Sequence, residues 1–162
     1  MRERIALAAA ALVLLVTNYG IYQRERLLSD GRVVLLELLP VDPRSLMQGD
    51  YMALRFKVAD DAFGRAPRQQ ANDGSLVVAL DTRGVASFSR FDDGAPLLPN
   101  EVRMRYRVRE QQPKFATNAF FFQEGHATLY ERARFGEFRV AQSGDSILTG
   151  LRGENLAPLG SR

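Results

Sequence analysis

The sequence predicts a mainly β domain, a small barrel or sandwich-like body with one or two short helices, carried on one N-terminal transmembrane helix. Three observations predict it. The stretch from Ile5 to Tyr22 contains no charged residue. Several later runs of Val, Leu, Ile and Phe are short and broken by Gly and Pro, the punctuation of strands rather than long helices. Glu101 to Glu110 (EVRMRYRVRE) alternates apolar and arginine side chains with period two, the pattern of a half-buried strand.

The N-terminal segment comes first. At 1.5 Å per residue, residues 5 to 22 form a helix of about 27 Å, just enough for a hydrocarbon core of about 30 Å. Arg2 and Arg4 precede it and Gln23-Arg24-Glu25-Arg26 ends it. The run closes on Thr17-Asn18-Tyr19-Gly20-Ile21-Tyr22, which lacks a small-x-small cleavage site, so an uncleaved signal-anchor fits better than a cleaved signal peptide. Tyr19 and Tyr22 suit the far interface. A helix apolar on every side is a poor core element for so small a domain. Arg2, Arg4 and the free amine favour an inside N-terminus, while Arg24, Arg26 and Arg32 argue the other way. The expected organisation is an anchor over residues 1–22 and an extracytoplasmic β-rich domain over 23–162, placed at the cytoplasmic (inner) membrane.

Strands are expected at Arg32–Leu39, Tyr51–Val58, Leu76–Leu80, Val85–Phe91, Glu101–Glu110, Glu137–Ala141 and Ser146–Leu151. Asp81-Thr82-Arg83-Gly84 reads as a hairpin turn, with Gly84 free to take positive φ. Ser45–Gly49 suits a single helical turn, and Glu124–Arg134 a short helix capped by Gly136. Residues 60–74, 92–100 and 111–118 read as loops, and the tail after Arg152 as a loose end.

Composition excludes some chemistry. The chain has no cysteine, so neither a disulfide framework nor thiolate catalysis is available. Of 22 basic residues only Lys57 and Lys114 are lysine, yet the net charge is just +3. That balance does not suggest nucleic acid, which asks for a concentrated basic footprint with aromatic interleaving. His126 is the single histidine, so no metal-ligand set is evident and no cofactor is expected. Arg103, Arg105, Arg107 and Arg109 share one strand face; they are either a solvated sheet face or a row for anionic ligands such as lipid headgroups.

Two stretches carry a resemblance. One is Val41-Asp42-Pro43-Arg44-Ser45-Leu46-Met47-Gln48-Gly49-Asp50-Tyr51-Met52-Ala53-Leu54-Arg55-Phe56. The other holds Phe121-Phe122-Gln123-Glu124-Gly125-His126, followed by residues 133–140. Together they resemble the bacterial GDYXXLXY protein family of membrane-associated proteins. Gly49, Asp50, Tyr51 and Leu54 match the signature; Phe56 stands where the family writes tyrosine. The resemblance implies an anchor-then-domain layout and a polytopic membrane protein as partner. It also marks Asp42, Pro43, Arg44, Gly49, Asp50, Tyr51, Leu54, Phe56, Glu124 and Gly125 as motif or binding residues. Period two explains much of the signature without a ligand: Met52, Leu54 and Phe56 form a core stripe, and Tyr51, Ala53 and Arg55 face the other way.

The expected function is therefore that of a non-enzymatic accessory protein, anchored in lipid by its helix and working with a polytopic membrane protein. The alternative is a hydrolase. The order around Ser45 resembles the serine segment of type I signal peptidases, though Ser-Met-x-Pro is absent. That chemistry would need Lys57 or Lys114 as a base of lowered pKa.

Overall fold

The computed structural model describes residues 2–39, 47–48, 51–64, 73–109 and 112–160. In chain order its elements are α1 (Arg2–Asp30), β1 (Arg32–Glu37), β2 (Met47–Gln48), β3 (Tyr51–Ala53), α2 (Lys57–Phe63), β4 (Gly74–Leu80), β5 (Val85–Phe91), β6 (Glu101–Arg109), β7 (Gln112–Lys114), β8 (Ala119–Phe121), α3 (Ala127–Tyr130), β9 (Phe135–Val140), β10 (Ser146–Arg152) and β11 (Pro158–Leu159).

Helix α1 continues past the apolar run because Gln23 to Leu28 are good helix formers without Gly or Pro. Arg26 and Asp30 add an i,i+4 ion pair at 3.5 Å. Gly31 ends the helix. Its N–H donates to the Leu27 carbonyl at 3.0 Å, and a Cβ there would collide with that oxygen and sit 3.1 Å from Arg139 Cβ. Arg139 in turn donates to the Gly31 carbonyl at 3.1 Å. The helix is thus seated on β9 at its exit.

Among the described residues the strands form two open sheets. The larger has the order β11-β10-β9-β1-β5-β4-β6-β7; the smaller is β2-β3-β8. Among the described residues all strand pairs are antiparallel except β1 with β5. Strand β1 lies at the centre, which explains its unbroken apolar run: Val34 and Leu36 are fully buried in the main core, and Leu35 is buried between them. The domain is mainly β as expected, and of the barrel and sandwich-like forms the closed barrel is not the one adopted. The sheet curls until Arg105 N–H of β6 donates to Gly144 O in the β9–β10 turn at 2.8 Å, but β6 and β9 are not paired as strands there.

The core is filled by β1, alternate residues of β6, the α2 face of Val58, Ala59 and Ala62, and an aromatic cluster. Phe56 meets Phe138 edge-on at 5.4 Å and Phe115 at 6.3 Å. Val102, Met104 and Tyr106 of β6 are buried, as the alternation requires, while Arg105 and Arg107 are exposed.

Several expectations are corrected. The strand from Tyr51 stops at Ala53, and Lys57–Phe63 is helical; KVADDAF places Val58, Ala59 and Ala62 on one helical face, which pays more in burial than an extended run would. Met47 and Gln48 are strand rather than a helical turn, drawn into pairing by β3. The helix expected over 124–134 shrinks to one turn, because β9 begins at Phe135 and Ala119–Phe121 are held by β3. Gly136 is no cap. It lies inside β9, where a Cβ would meet Phe56 at 3.0 Å, Phe138 at 3.2 Å and Leu148 at 3.3 Å. Part of the 111–118 loop is β7, and the tail is tied down by β11 pairing with β10. The Asp81–Gly84 turn forms as expected, with Gly84 at φ 82°.

The crowding at Gly136 gives a test. Gly136→Ala should lower unfolding stability by about 1–3 kcal/mol through overpacking, and Phe56→Ala by about 3–5 kcal/mol through cavity formation. In the double variant the lost ring makes room for the methyl, so the combined loss should be less than the sum. Urea titration of the detergent-solubilised protein, followed by far-UV circular dichroism, measures all three.

Candidate functional site

Two regions bring sequence-marked residues together. The first is the small sheet. β3 pairs with β8 in the register Tyr51↔Phe121, Met52↔Phe120 and Ala53↔Ala119, so the two stretches that carry the family resemblance lie side by side. Leu54 N–H donates to Asn118 O at 2.7 Å. Leu38 bridges Phe56, and Leu39 N–H donates to Arg55 O at 2.9 Å, which links the small sheet to the far end of β1. Met52, Leu54 and Phe56 are buried, whereas Ala53 and Arg55 are exposed and Tyr51 is half-buried. Tyr51 leans on Phe121 at 5.8 Å, and Phe121 is 73% exposed. Three residues on, Glu124 and Gly125 form an exposed turn in which Gly125 takes φ 83°. That positive φ is a sufficient reason for glycine there. Asp42, Pro43, Arg44, Ser45, Gly49 and Asp50 lie outside the described residues.

The second region is a cleft of about 1560 Å³ between the last turns of α1, the arginine face of β6 and the β9–β10 turn. Arg103, Arg105, Arg107 and Arg109 all line it, as do Arg24 and Arg32. The row is partly neutralised. Arg103 pairs with Asp92 at 2.6 Å, Arg105 with Asp145 at 3.0 Å and Arg109 with Asp73 at 3.2 Å. Arg107 has no carboxylate partner among the described residues. The row is therefore neither wholly a solvated face nor wholly a free cationic one.

Sequence reasoning missed Glu101, which is buried at the first position of β6. Its Oε1 accepts from Ser89 at 3.1 Å; Oε2 accepts from Leu98 N–H at 3.1 Å and Arg90 at 3.2 Å. Arg90 also reaches Asp93 at 2.8 Å and Pro96 O at 3.3 Å. Glu101 thus holds the 92–100 loop against β5, and its own carbonyl accepts from Arg32 at the cleft, 3.3 Å away. The only available signal was a carboxylate at the head of the arginine face of an alternating strand, which also fits a solvated turn.

The hydrolase reading gains nothing from Lys57. It opens α2 at the surface and pairs with Glu37 at 3.1 Å, and that hydrogen bond raises its pKa, the opposite of what a neutral base requires. Lys114 lies in β7 and Ser45 is outside the described residues. His126 is exposed just before α3. Among the described residues no cluster of three His, Asp or Glu side chains is placed to hold a metal ion.

The Leu98 N–H, with Ser89 and Arg90, holds the Glu101 carboxyl below its ordinary 4.5, and Arg103 with the Gly94 N–H holds Asp92 below its ordinary 3.8. Depressed carboxyl pKa values stabilise the fold above the ordinary range and lose that contribution as pH falls through the folded-state values. The urea midpoint should therefore drop as pH goes from about 5 toward 2. Glu101→Gln should be less stable at neutral pH but show a shallower decline, so the two curves converge in acid; equilibrium unfolding across that range checks it.

No curated protein and no solved structure matches the chain. The family model described as GDYXXLXY protein matches residues 13–151, from within α1 to the end of β10 and through both stretches joined by β3 and β8; the chain belongs to the GDYXXLXY protein family.

Proposed function

We propose that this protein is a single-pass inner-membrane protein whose β domain stands outside the cytoplasm and serves as a non-enzymatic accessory subunit of a polytopic membrane protein. The observation that supports this reading is the surface of α1. Its large apolar side chains are exposed all along the run, from Ile5 at 65% through Leu14 at 63% to Ile21 at 50%, and the domain buries none of its apolar window. A helix apolar on every side requires lipid, or another helix within lipid.

Features of the span favour a helical partner. Thr17 and Asn18 donate to the carbonyls of Val13 and Leu14 at 2.9 and 2.8 Å, and the Asn18 amide keeps its oxygen as an acceptor for a neighbouring helix. Gly20 has open space where a Cβ would stand, which lets a second backbone approach closely. For orientation, Arg2 and Arg4 favour a cytoplasmic N-terminus, and a long following domain is translocated largely regardless of its charge.

Two measurements test the proposal. The chain lacks cysteine, so a single Glu154→Cys at an exposed turn reports topology. It should react with a membrane-impermeant maleimide from outside intact spheroplasts; labelling only after lysis would place the domain inside. Crosslinking of the full-length protein in native membranes should recover one polytopic membrane protein. Gly20→Ile should reduce that recovery severalfold without altering membrane association, and no specific partner in either case would sink the accessory role.

A further inference from the structure

We infer that the cleft between the end of α1 and the arginine face of β6 binds the phosphate of an anionic phospholipid headgroup in the leaflet from which the domain emerges. This rests on the membrane-anchored reading and adds a ligand to it.

Depth is the first argument. α1 has 29 residues, a length of about 44 Å at 1.5 Å per residue, whereas the hydrocarbon core spans about 30 Å. The charge-free run ends at Tyr22, so the turns that follow rise through the headgroup layer. Those turns, from Gly20 to Arg32, form one wall of the cleft. Gly31, clasped by Leu27 and Arg139, keeps the other wall close to them.

Charge is the second. Among the described residues eight arginine and lysine side chains line the cleft against three carboxylates, Asp30, Glu101 and Asp145. Each of the three is already engaged, by Arg26, Arg90 and Arg105 respectively. Arg103 and Arg109 are held by Asp92 and Asp73. Arg24 on the helix wall and Arg107 on the strand wall have no carboxylate partner among the described residues, and Arg32 spends one nitrogen on the Glu101 carbonyl. Three guanidinium groups thus keep donors to spare along the two walls of the cleft, and a guanidinium engages the oxygens of a phosphate diester through bidentate hydrogen bonds. A choline or ethanolamine headgroup would bring a cation into the same field.

Shape is the third. The cleft is larger than a typical small-molecule pocket, roughly 300–1,000 Å³, and open. Leu27, Ile147 and Leu148 add an apolar portion beside the arginines, against which the glycerol and first acyl carbons can lie. Among the described residues no aromatic side chain lines it, and stacked nucleobases have no platform there.

The test uses full-length protein in dodecyl maltoside micelles, titrated with dihexanoyl phosphatidylglycerol, dihexanoyl phosphatidylcholine and glycerol 1-phosphate, with binding read by microscale thermophoresis. Phosphatidylglycerol should bind saturably and more tightly than the other two. Arg24→Ala and Arg107→Ala should each weaken it about tenfold, the loss of one charge-assisted hydrogen-bonded pair, while Arg83→Ala, on the Asp81–Gly84 turn outside the cleft, should not. Unchanged thermal unfolding in the cleft variants excludes a folding defect; if one variant unfolds early, the other and the charge-retaining Arg107→Lys, expected to recover part of the affinity, decide. Equal affinity for the two lipids, insensitivity to both cleft variants, or glycerol phosphate binding as tightly as phosphatidylglycerol would overturn the assignment, the last in favour of a soluble anion. Carbonate extraction of native membranes separates the two readings. Protein released by carbonate overturns anchoring and the headgroup site together; protein retained but without phosphatidylglycerol preference overturns the headgroup site alone.

Discussion

Strand β1 is the element on which the rest of the structure depends. Just before its start, Gly31 admits the Leu27 carbonyl and Arg139 Cβ in the space a side chain would need, and its own carbonyl accepts from the Arg139 guanidinium, which seats the helix on β9. In its middle, Val34 and Leu36 are completely buried, and β9 and β5 pair with it on either side. At its end, Leu38 and Leu39 bond to Phe56 and Arg55, which hangs the signature sheet on the large one. A short run of chain thus connects the apolar helix, the core and the family motif, with the helix tied by the Arg139 side chain and the motif by backbone hydrogen bonds.

The polar surface is organised by the same economy. Strand β6 presents its apolar face to the core and its arginines to the cleft, and three of those arginines find carboxylates from the β3–β4, β5–β6 and β9–β10 connections. The exposed pairs of Arg105 and Arg109 contribute little to stability individually, whereas Arg103–Asp92 is partly buried. Their effect is positional: they draw the loops against the sheet and leave the charge excess at Arg24, Arg32 and Arg107. Glu101 differs because it is buried and fully hydrogen-bonded, so its removal exposes the cost of leaving Arg90 and Leu98 N–H without their acceptor.

The signature is a structural joint as much as a marker. Leu54 and Phe56 are core residues, and Phe56 occupies an aromatic cluster with Phe115 and Phe138 in which a ring edge, not a hydroxyl, makes the contacts. That accounts for an aromatic residue where the family writes tyrosine. The half-buried Tyr51 and the exposed Phe121 gather on one face of the small sheet, where β3 and β8 make neighbours of stretches far apart in the chain.

The amino-acid sequence by itself determined the apolar helix, the half-buried alternation of β6, the β4–β5 turn at Gly84 and the core stripe Met52-Leu54-Phe56, because each is a local periodicity or a local backbone requirement. It also carried the family resemblance. Only the tertiary structure decided the rest. Gly136 reads as a helix cap until Phe56, Phe138 and Leu148 converge on it from other strands; Lys57–Phe63 reads as strand and loop until the sheet offers a face for its alanines; and the arginine row becomes one wall of a cleft only because α1 is clasped at Gly31. These outcomes depend on contacts between residues distant in sequence, and a periodicity records which face of an element is apolar without recording what that face will meet.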